Sequence, residues 1–269
     1  MFTQSSLFFH PKEVKWKGQC INLFTKDFKM YKTLGIIGGL GPLATAYFYQ
    51  QITDMTDVKK DQDHIEILIH SAPSIPDRTS FILGKSTDSP LPRMVEIGRG
   101  LVRAGADLIS IPCITAHYFH KALTEQIPVP IMNLPEEVAI YLNSHGIKKV
   151  GIMATDGTVT SGLFQTQLTK LGIEPLIPSP ERQADVMHII YNNIKIGKSA
   201  EPDVFARVRD ELQGNGAEVI ILGCTELSIL KRDKMTGPGF LDAMEVLALR
   251  SIEECKAPIR PEYRELITK

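Results

Sequence analysis

Two kinds of hydrophobic pattern alternate along this chain. Compact runs of aliphatic and β-branched residues fall at Leu34–Ile37, Ile65–His70, Leu108–Ile111, Val129–Met132, Lys149–Met153, Glu174–Ile177 and Val219–Leu222, and such runs predict strands. Between them, apolar positions recur with helical spacing over Leu43–Met55, Pro92–Ala104, Ala116–Glu125, Pro135–Ser144, Ser161–Leu171, Asp185–Ile194, Pro202–Gln213 and Leu241–Glu254, which predicts helices with one buried face. Strand and helix in steady alternation predict repeated βα units around mostly parallel sheets, an α/β fold. Two stretches also resemble each other, Gly105-Ala106-Asp107 through Cys113 and Gly216-Ala217-Glu218 through Cys224. Each reads Gly-Ala-acid, apolar strand, tight turn and Cys, with a Thr soon after. This weak repeat predicts two similar domains facing each other.

Composition narrows the function classes. The chain has 269 residues, 43% hydrophobic and 23% charged, enough to bury a substantial core. Its 30 Lys and Arg nearly cancel its 31 Asp and Glu, so no basic field exists to gather phosphate backbones or an anionic membrane. Neither nucleic acid nor a membrane is expected as a partner, and no apolar run approaches the ~20 residues of a bilayer span. Leu7-Phe8-Phe9 is surrounded by lysines at 12, 15 and 17 that break up a signal-peptide core. With Met30 just ahead of the first strand, residues 1–29 are expected to be a leader or a disordered tail. Four cysteines, at 20, 113, 224 and 255, show neither CxxC spacing nor the density of a disulfide scaffold, which fits a reducing cytoplasm.

Candidate chemistry concentrates where strands end, which is where ligands bind in open α/β sheets. The turn Gly38-Gly39-Leu40-Gly41-Pro42 follows the first strand; it departs from the dinucleotide fingerprint, lacking the third glycine, and suits a carboxylate or a plain tight turn. Cys113 and Cys224 each sit just past a strand and before a helix, where unpaired N–H groups and the helix dipole favour thiolate. Two facing thiols can do what one cannot. A thiolate removes a proton from one side of a tetrahedral carbon while a thiol returns one to the other side, inverting configuration. The developing carbanion needs donors to its carboxylate, for which Thr115, Thr158, Thr225 and backbone N–H groups are the candidates. Arg78 suits a carboxylate through its planar fork, although a loop Arg taken alone is more often a solvated surface group, and Lys195 adds a cation near a helix end, where lysines ordinarily just complement the dipole.

Five motifs occur in order: Gly38-Gly39-Leu40-Gly41-Pro42-Leu43-Ala44-Thr45, Pro76-Asp77-Arg78, Pro112-Cys113-x-Thr115-Ala116-His117, Ile190-Tyr191-x-x-Ile194-Lys195-x-Gly197 and Leu222-Gly223-Cys224-Thr225-Glu226-Leu227. Through them the chain, from about Leu34 to Cys255, resembles the aspartate/glutamate racemase superfamily and in particular its aspartate racemase branch; glutamate racemases usually carry His where Glu226 stands. The resemblance implies two pseudosymmetric Rossmann-like domains, residues 30–134 plus 240–269 and residues 135–239, with the site in the cleft between them. It implies a cytoplasmic homodimer acting on a small amino acid, most closely aspartate, without pyridoxal phosphate, metal or other cofactor. Cys113 and Cys224 would be the acid/base pair. Arg78 and Lys195 would hold the side-chain carboxylate, Thr115, Thr158 and Thr225 would line the α-carboxylate and amine, and Gly41 would also be a substrate-binding residue. Ile114 departs from the family, which usually has Asn there, and would place an apolar contact at the substrate. His117 either assists Cys113 or is structural. Alternatives within the superfamily are a broad-specificity amino-acid racemase and enzymes of the maleate isomerase or malonate decarboxylase type; a catalytically weakened ligand-binding protein is the non-enzyme alternative.

Overall fold

The fold is taken from a computed structural model, which describes residues 14–16, 19–21 and 30–269. The chain separates into two units, Met1–Met30 and Tyr31–Lys269. In the first, β1 (Val14–Trp16) pairs antiparallel with β2 (Gln19–Ile21). The expectation of a leader over 1–29 otherwise lies outside the described residues.

The second unit is α/β with parallel sheets. In the first sheet β3 (Leu34–Gly38) is central, flanked by β4 (Ile67–Ser71) and β5 (Leu108–Ser110), both parallel to it. The second sheet runs β7 (Glu174–Leu176), β6 (Lys149–Ala154), β8 (Val219–Gly223), β9 (Phe240–Asp242), again all parallel. Every residue of β3 and of β8 is buried. Strands covered by helices on both faces have no polar side to show, so they read as continuous apolar runs.

Helices supply the cover. In the first half these are α1 (Pro42–Met55), α2 (Arg78–Ile82), α3 (Leu91–Arg103), α4 (His120–Thr124) and α5 (Leu134–Ser144). In the second they are α6 (Asp156–Thr160), α7 (Leu163–Lys170), α8 (Pro180–His188), α9 (Pro202–Gly214), α10 (Thr225–Arg232) and α11 (Ala243–Glu254). Pro stands in the first turn of α1, α3, α5, α8 and α9, where its missing N–H costs nothing. Helix α11 packs against both α1 and α5. Its buried Met244, Leu247, Ala248 and Ile252 join Phe48, Ile52, Val138 and Leu142 in one apolar cluster that also takes in residues of β3, β6 and β8.

Several sequence expectations need correction. Val129–Met132 forms a single parallel bridge, Ile109 to Ile131, instead of a strand, because Pro128 and Pro130 cannot donate to a ladder. Leu241 and Asp242, expected to open a helix, form with Phe240 a strand of the second sheet; the helix begins only at Ala243, after Asp242 has capped it by accepting from Met244 N–H. The helix expected over Ala116–Glu125 opens as a 3₁₀ turn, Ile114–Phe119. The helix expected at Asp185 begins earlier, capped by Ser179 with Pro180 behind it, and ends in a π turn at Ile189–Asn193. Two five-residue helices, at Arg78 and Asp156, go beyond the expected set, being too brief to show a clear period, and the helix start expected after Cys224 is the eight-residue Thr225–Arg232.

The glycine-rich turn after β3 is fixed by space as well as by dihedrals. Gly39 has φ +86, and a Cβ there would lie 2.3 Å from Ala72 N; its own N–H donates to Thr45 Oγ1 at 2.9 Å. Gly84 has φ +69 but faces open space. Substituting Ala at Gly84 is expected to cost about 1–2 kcal/mol, the left-handed penalty alone, whereas Gly39→Ala adds an overpacking cost of about 1–3 kcal/mol because backbone cannot swing aside. Urea unfolding of both variants checks the difference.

Candidate active site

The turns after four strands, β3, β5, β6 and β8, bring their side chains together at the carboxyl ends of the two sheets. Cys113 follows β5 and Cys224 follows β8, and each sits at the cap position of the next helical segment in extended backbone (φ −154, ψ 107 and φ −145, ψ 137). Their carbonyls accept from the residue three on, Ala116 N–H at 3.1 Å and Leu227 N–H at 2.8 Å. The two turns therefore repeat each other in hydrogen bonding as they do in sequence. Both thiols are buried, 7% and 8% exposed, and both line one small cavity of about 20 Å³, with Leu40, Arg78, Ile114, Thr115, Thr155, Tyr191, Lys195, Thr225 and Glu226 among the walls. That space is about one water molecule. A larger cavity of about 460 Å³ shares Leu40, Arg78, Lys195, Thr225 and Glu226 with it and adds Gly41, Tyr47, Ile194, Ile229 and Arg232.

The charges around the two sulfurs differ. Cys224 Sγ donates to Glu226 Oε2 at 2.8 Å. Burial first, and then the adjacent carboxylate, push the Cys224 thiol well above the usual cysteine range. Glu226 also accepts from Thr225 Oγ1 at 3.3 Å and lies 3.9 Å from Lys195 Nζ, which itself stands 4.1 Å above the Tyr191 ring. Burial works against the Lys195 cation, but Glu226 and Cys224 outweigh it and raise its pKa. Arg78 donates from its two terminal nitrogens to the carbonyls of Pro76 (3.0 Å), Ile75 (3.3 Å) and Leu40 (3.3 Å). Burial likewise opposes its charge, and the Cys113 sulfur and Asp77 beside it more than compensate.

Of the residues expected at the site, Cys113, Cys224, Arg78, Lys195, Ile114, Thr115 and Thr225 line the inner cavity, and Gly41 lines the larger one. Thr158 lines neither of these cavities. It is fully buried, 2.9 Å from Thr115 Oγ1 and 3.2 Å from Thr155 Oγ1, so it fixes the Thr115 hydroxyl from behind. Thr155 lines the wall in its place; it is the cap of α6, a Thr three residues ahead of Thr158 that a search for caps would have found. Glu226 was read only as a mark of the family branch, and Tyr191 only as part of a motif; the fold brings both to the thiols. Ile114, 2% exposed, belongs also to the central apolar cluster, so its side chain serves packing as well as lining.

His117 resolves as structural. Its Nδ1–H donates to the carbonyls of Cys113 at 3.0 Å and Ile114 at 3.3 Å, in the 3₁₀ opening of this segment. Among the described residues its Nε2 is buried without a partner.

An α/β chain of parallel sheets with two thiols in one cavity defines a class of site suited to moving protons at a carbon centre. Residues 37–250 match the Asp/Glu/Hydantoin racemase family, and the chain belongs to that family, whose racemases are isomerases. It is 30% identical to the aspartate racemase of Picrophilus torridus, with a TM-score of 0.78 over 87% of this chain and 98% of that one. It is 24% identical to the broad specificity amino-acid racemase RacX of Bacillus subtilis, over 81% of this chain and 96% of that protein. A glutamate racemase of Francisella tularensis in complex with D-glutamate shares the fold, at 17% identity and a TM-score of 0.60 over 82% and 80% of the two chains.

The buried imidazole predicts an acid-sensitive stability. Burial, with His120 alongside, lowers the His117 pKa from 6.5 to about 4. The unfolded chain then takes up a proton that the folded one refuses, so stability is full above about pH 6.5 and falls toward pH 4, by on the order of 3 kcal/mol. His117→Gln is expected to flatten that part of the profile, measured by urea unfolding across the window.

Proposed function

We propose that this chain is a cofactor-independent amino-acid racemase in which Cys113 and Cys224 are the two bases. The observation that carries the reading is that both buried thiols line one cavity. One sulfur accepts the α-proton and the other delivers a proton to the opposite face. Thr115, held by Thr155 and Thr158, and Thr225, whose hydroxyl would turn from Glu226 to the substrate, are the proposed donors to the α-carboxylate as negative charge develops there, where a donor fixed in advance lowers the barrier most. The two sheets are taken as the cores of two domains whose strand ends contribute one thiol each. A reducing, cytoplasmic setting and a homodimer complete the reading on the family resemblance; no helix among the described residues is long and apolar enough to cross a membrane.

Aspartate is the first substrate to test, supported by the 30% identity to an aspartate racemase and by the cations Arg78 and Lys195. A second, broader specificity is supported by the way those cations are already engaged: Arg78 holds three carbonyls and Lys195 faces Glu226. The larger cavity has the apolar walls Leu40, Ile194 and Ile229, which suit a longer uncharged side chain.

Incubation with L-aspartate in D₂O, followed by proton NMR at Cα and chiral chromatography, tests the reading. Loss of the α-proton signal with D-aspartate appearing is expected. Cys113→Ala and Cys224→Ala are each expected to lower racemisation by about 10²–10⁴-fold, the scale of a lost general acid or base. Full activity in either variant would exclude the two-base mechanism.

A further inference from the structure

We infer that Glu226 is a positioning residue for Cys224: its carboxylate keeps the proton on that thiol at rest, so that Cys224 opens the reaction as donor and Cys113 as acceptor. This rests on the two-thiol reading above and goes beyond it by breaking the symmetry of the pair.

The geometry is specific. Glu226 is in the first turn of α10 and 12% exposed at the side chain. Oε2 is 2.8 Å from Cys224 Sγ and 3.3 Å from Thr225 Oγ1, and Oε1 faces Lys195. A carboxylate that accepts a thiol hydrogen stabilises the neutral thiol and opposes the thiolate by like charge. The other titratable and charged groups facing this pair are Lys195 and Tyr191, from the segment after α8, Arg78 and Cys113 in the inner cavity, and Asp77 in the wall of the larger one. Lys195 favours the thiolate, but it stands 3.9 Å from Glu226 and shares its charge with that carboxylate. Cys113 has the opposite kind of neighbour, the Arg78 guanidinium.

The proton balance follows. The substrate Cα–H bond breaks and its proton joins the Cys113 sulfur, leaving the electron pair on the carbanion. The Cys224 S–H bond then breaks as its proton forms the new Cα–H bond, and the electron pair stays on Sγ. This leaves a thiolate beside a carboxylate. A proton taken from solvent at Glu226 and passed to Sγ relieves that contact, while Cys113 releases its proton to solvent.

The test titrates the thiols directly, without substrate. The full chain is labelled with [¹³Cβ]cysteine, each resonance is assigned by a single Cys→Ser variant, and the Cβ shifts are followed with pH. In the wild type, Cys224 is expected to stay a thiol well above the ~8.5 of an ordinary cysteine. In Glu226→Gln its midpoint is expected to fall by about one unit or more, a tenfold gain in thiolate at fixed pH; Glu226→Asp is expected to keep the wild-type behaviour. An unchanged Cys224 midpoint in Glu226→Gln, or a wild-type Cys224 that is already thiolate near neutral pH, overturns the inference. Circular dichroism reports whether Glu226→Gln folds, and the wild-type titration together with Glu226→Asp decides the matter if it does not. Failure of the racemase reading appears separately, as absence of Cα deuteration for every amino acid tried.

Discussion

Parallel pairing is the constraint on which the site depends. Because β3, β4 and β5 run the same way, and β6, β7, β8 and β9 likewise, each sheet releases its chain on one side only. Residues from the turns after β3, β5, β6 and β8, namely Leu40, Cys113, Thr155 and Cys224, line one small cavity. Helices cover both faces of the sheets, so these turns are also the places where polar side chains can converge without crossing an apolar layer. The turn after β3 is pressed against Ala72 so closely that only Gly39 fits. The turns after β5 and β8 extend one residue, a cysteine, into the space where the two sheets end.

Anchoring behind the site is polar and buried. Ser228, in the first turns of the helix that Cys224 opens, donates to Asp242 Oδ1 at 2.8 Å, and Asp242 caps α11 through Met244 N–H at 2.9 Å. Lys231 on the same helix pairs with Glu245. Burial raises the Asp242 carboxyl above the usual range, and burial with Asp242 beside it brings Glu245 to about 7. Thus the helix that places Thr225 and Glu226 is tied to α11, which is itself packed between α1 and α5. The positions of the acid/base groups are in this way coupled to the central apolar cluster.

Much of the fold could be read from the chain. The strands at Leu34, Leu108, Lys149 and Val219 and the long helices stand out, because burial on both faces makes a strand uniformly apolar and burial on one face gives a helix its period. What escaped were elements of three to five residues, too short to repeat a period clearly. Residues 240–242, all buried, could not be told from the first turn of the helix they precede. The aliphatic residues of the tract at Val129 predict a strand, but Pro128 and Pro130 limit it to one bridge.

By itself, the sequence determined the α/β class, the two Cys-bearing turns and the set of residue types available for proton transfer, since these follow from local pattern and spacing. Only the tertiary structure decided which neighbour each group meets. Arg78 was expected with an open fork, yet its terminal nitrogens hold three carbonyls; Thr158 was expected in the wall, yet it stands behind Thr115; Glu226 was a family marker, yet it holds the Cys224 thiol. Residue type fixes what a group can donate, accept or carry. Whether a charge faces a thiol, a backbone carbonyl or a substrate depends on distances of a few ångströms between segments far apart in the chain, and those are set by packing alone.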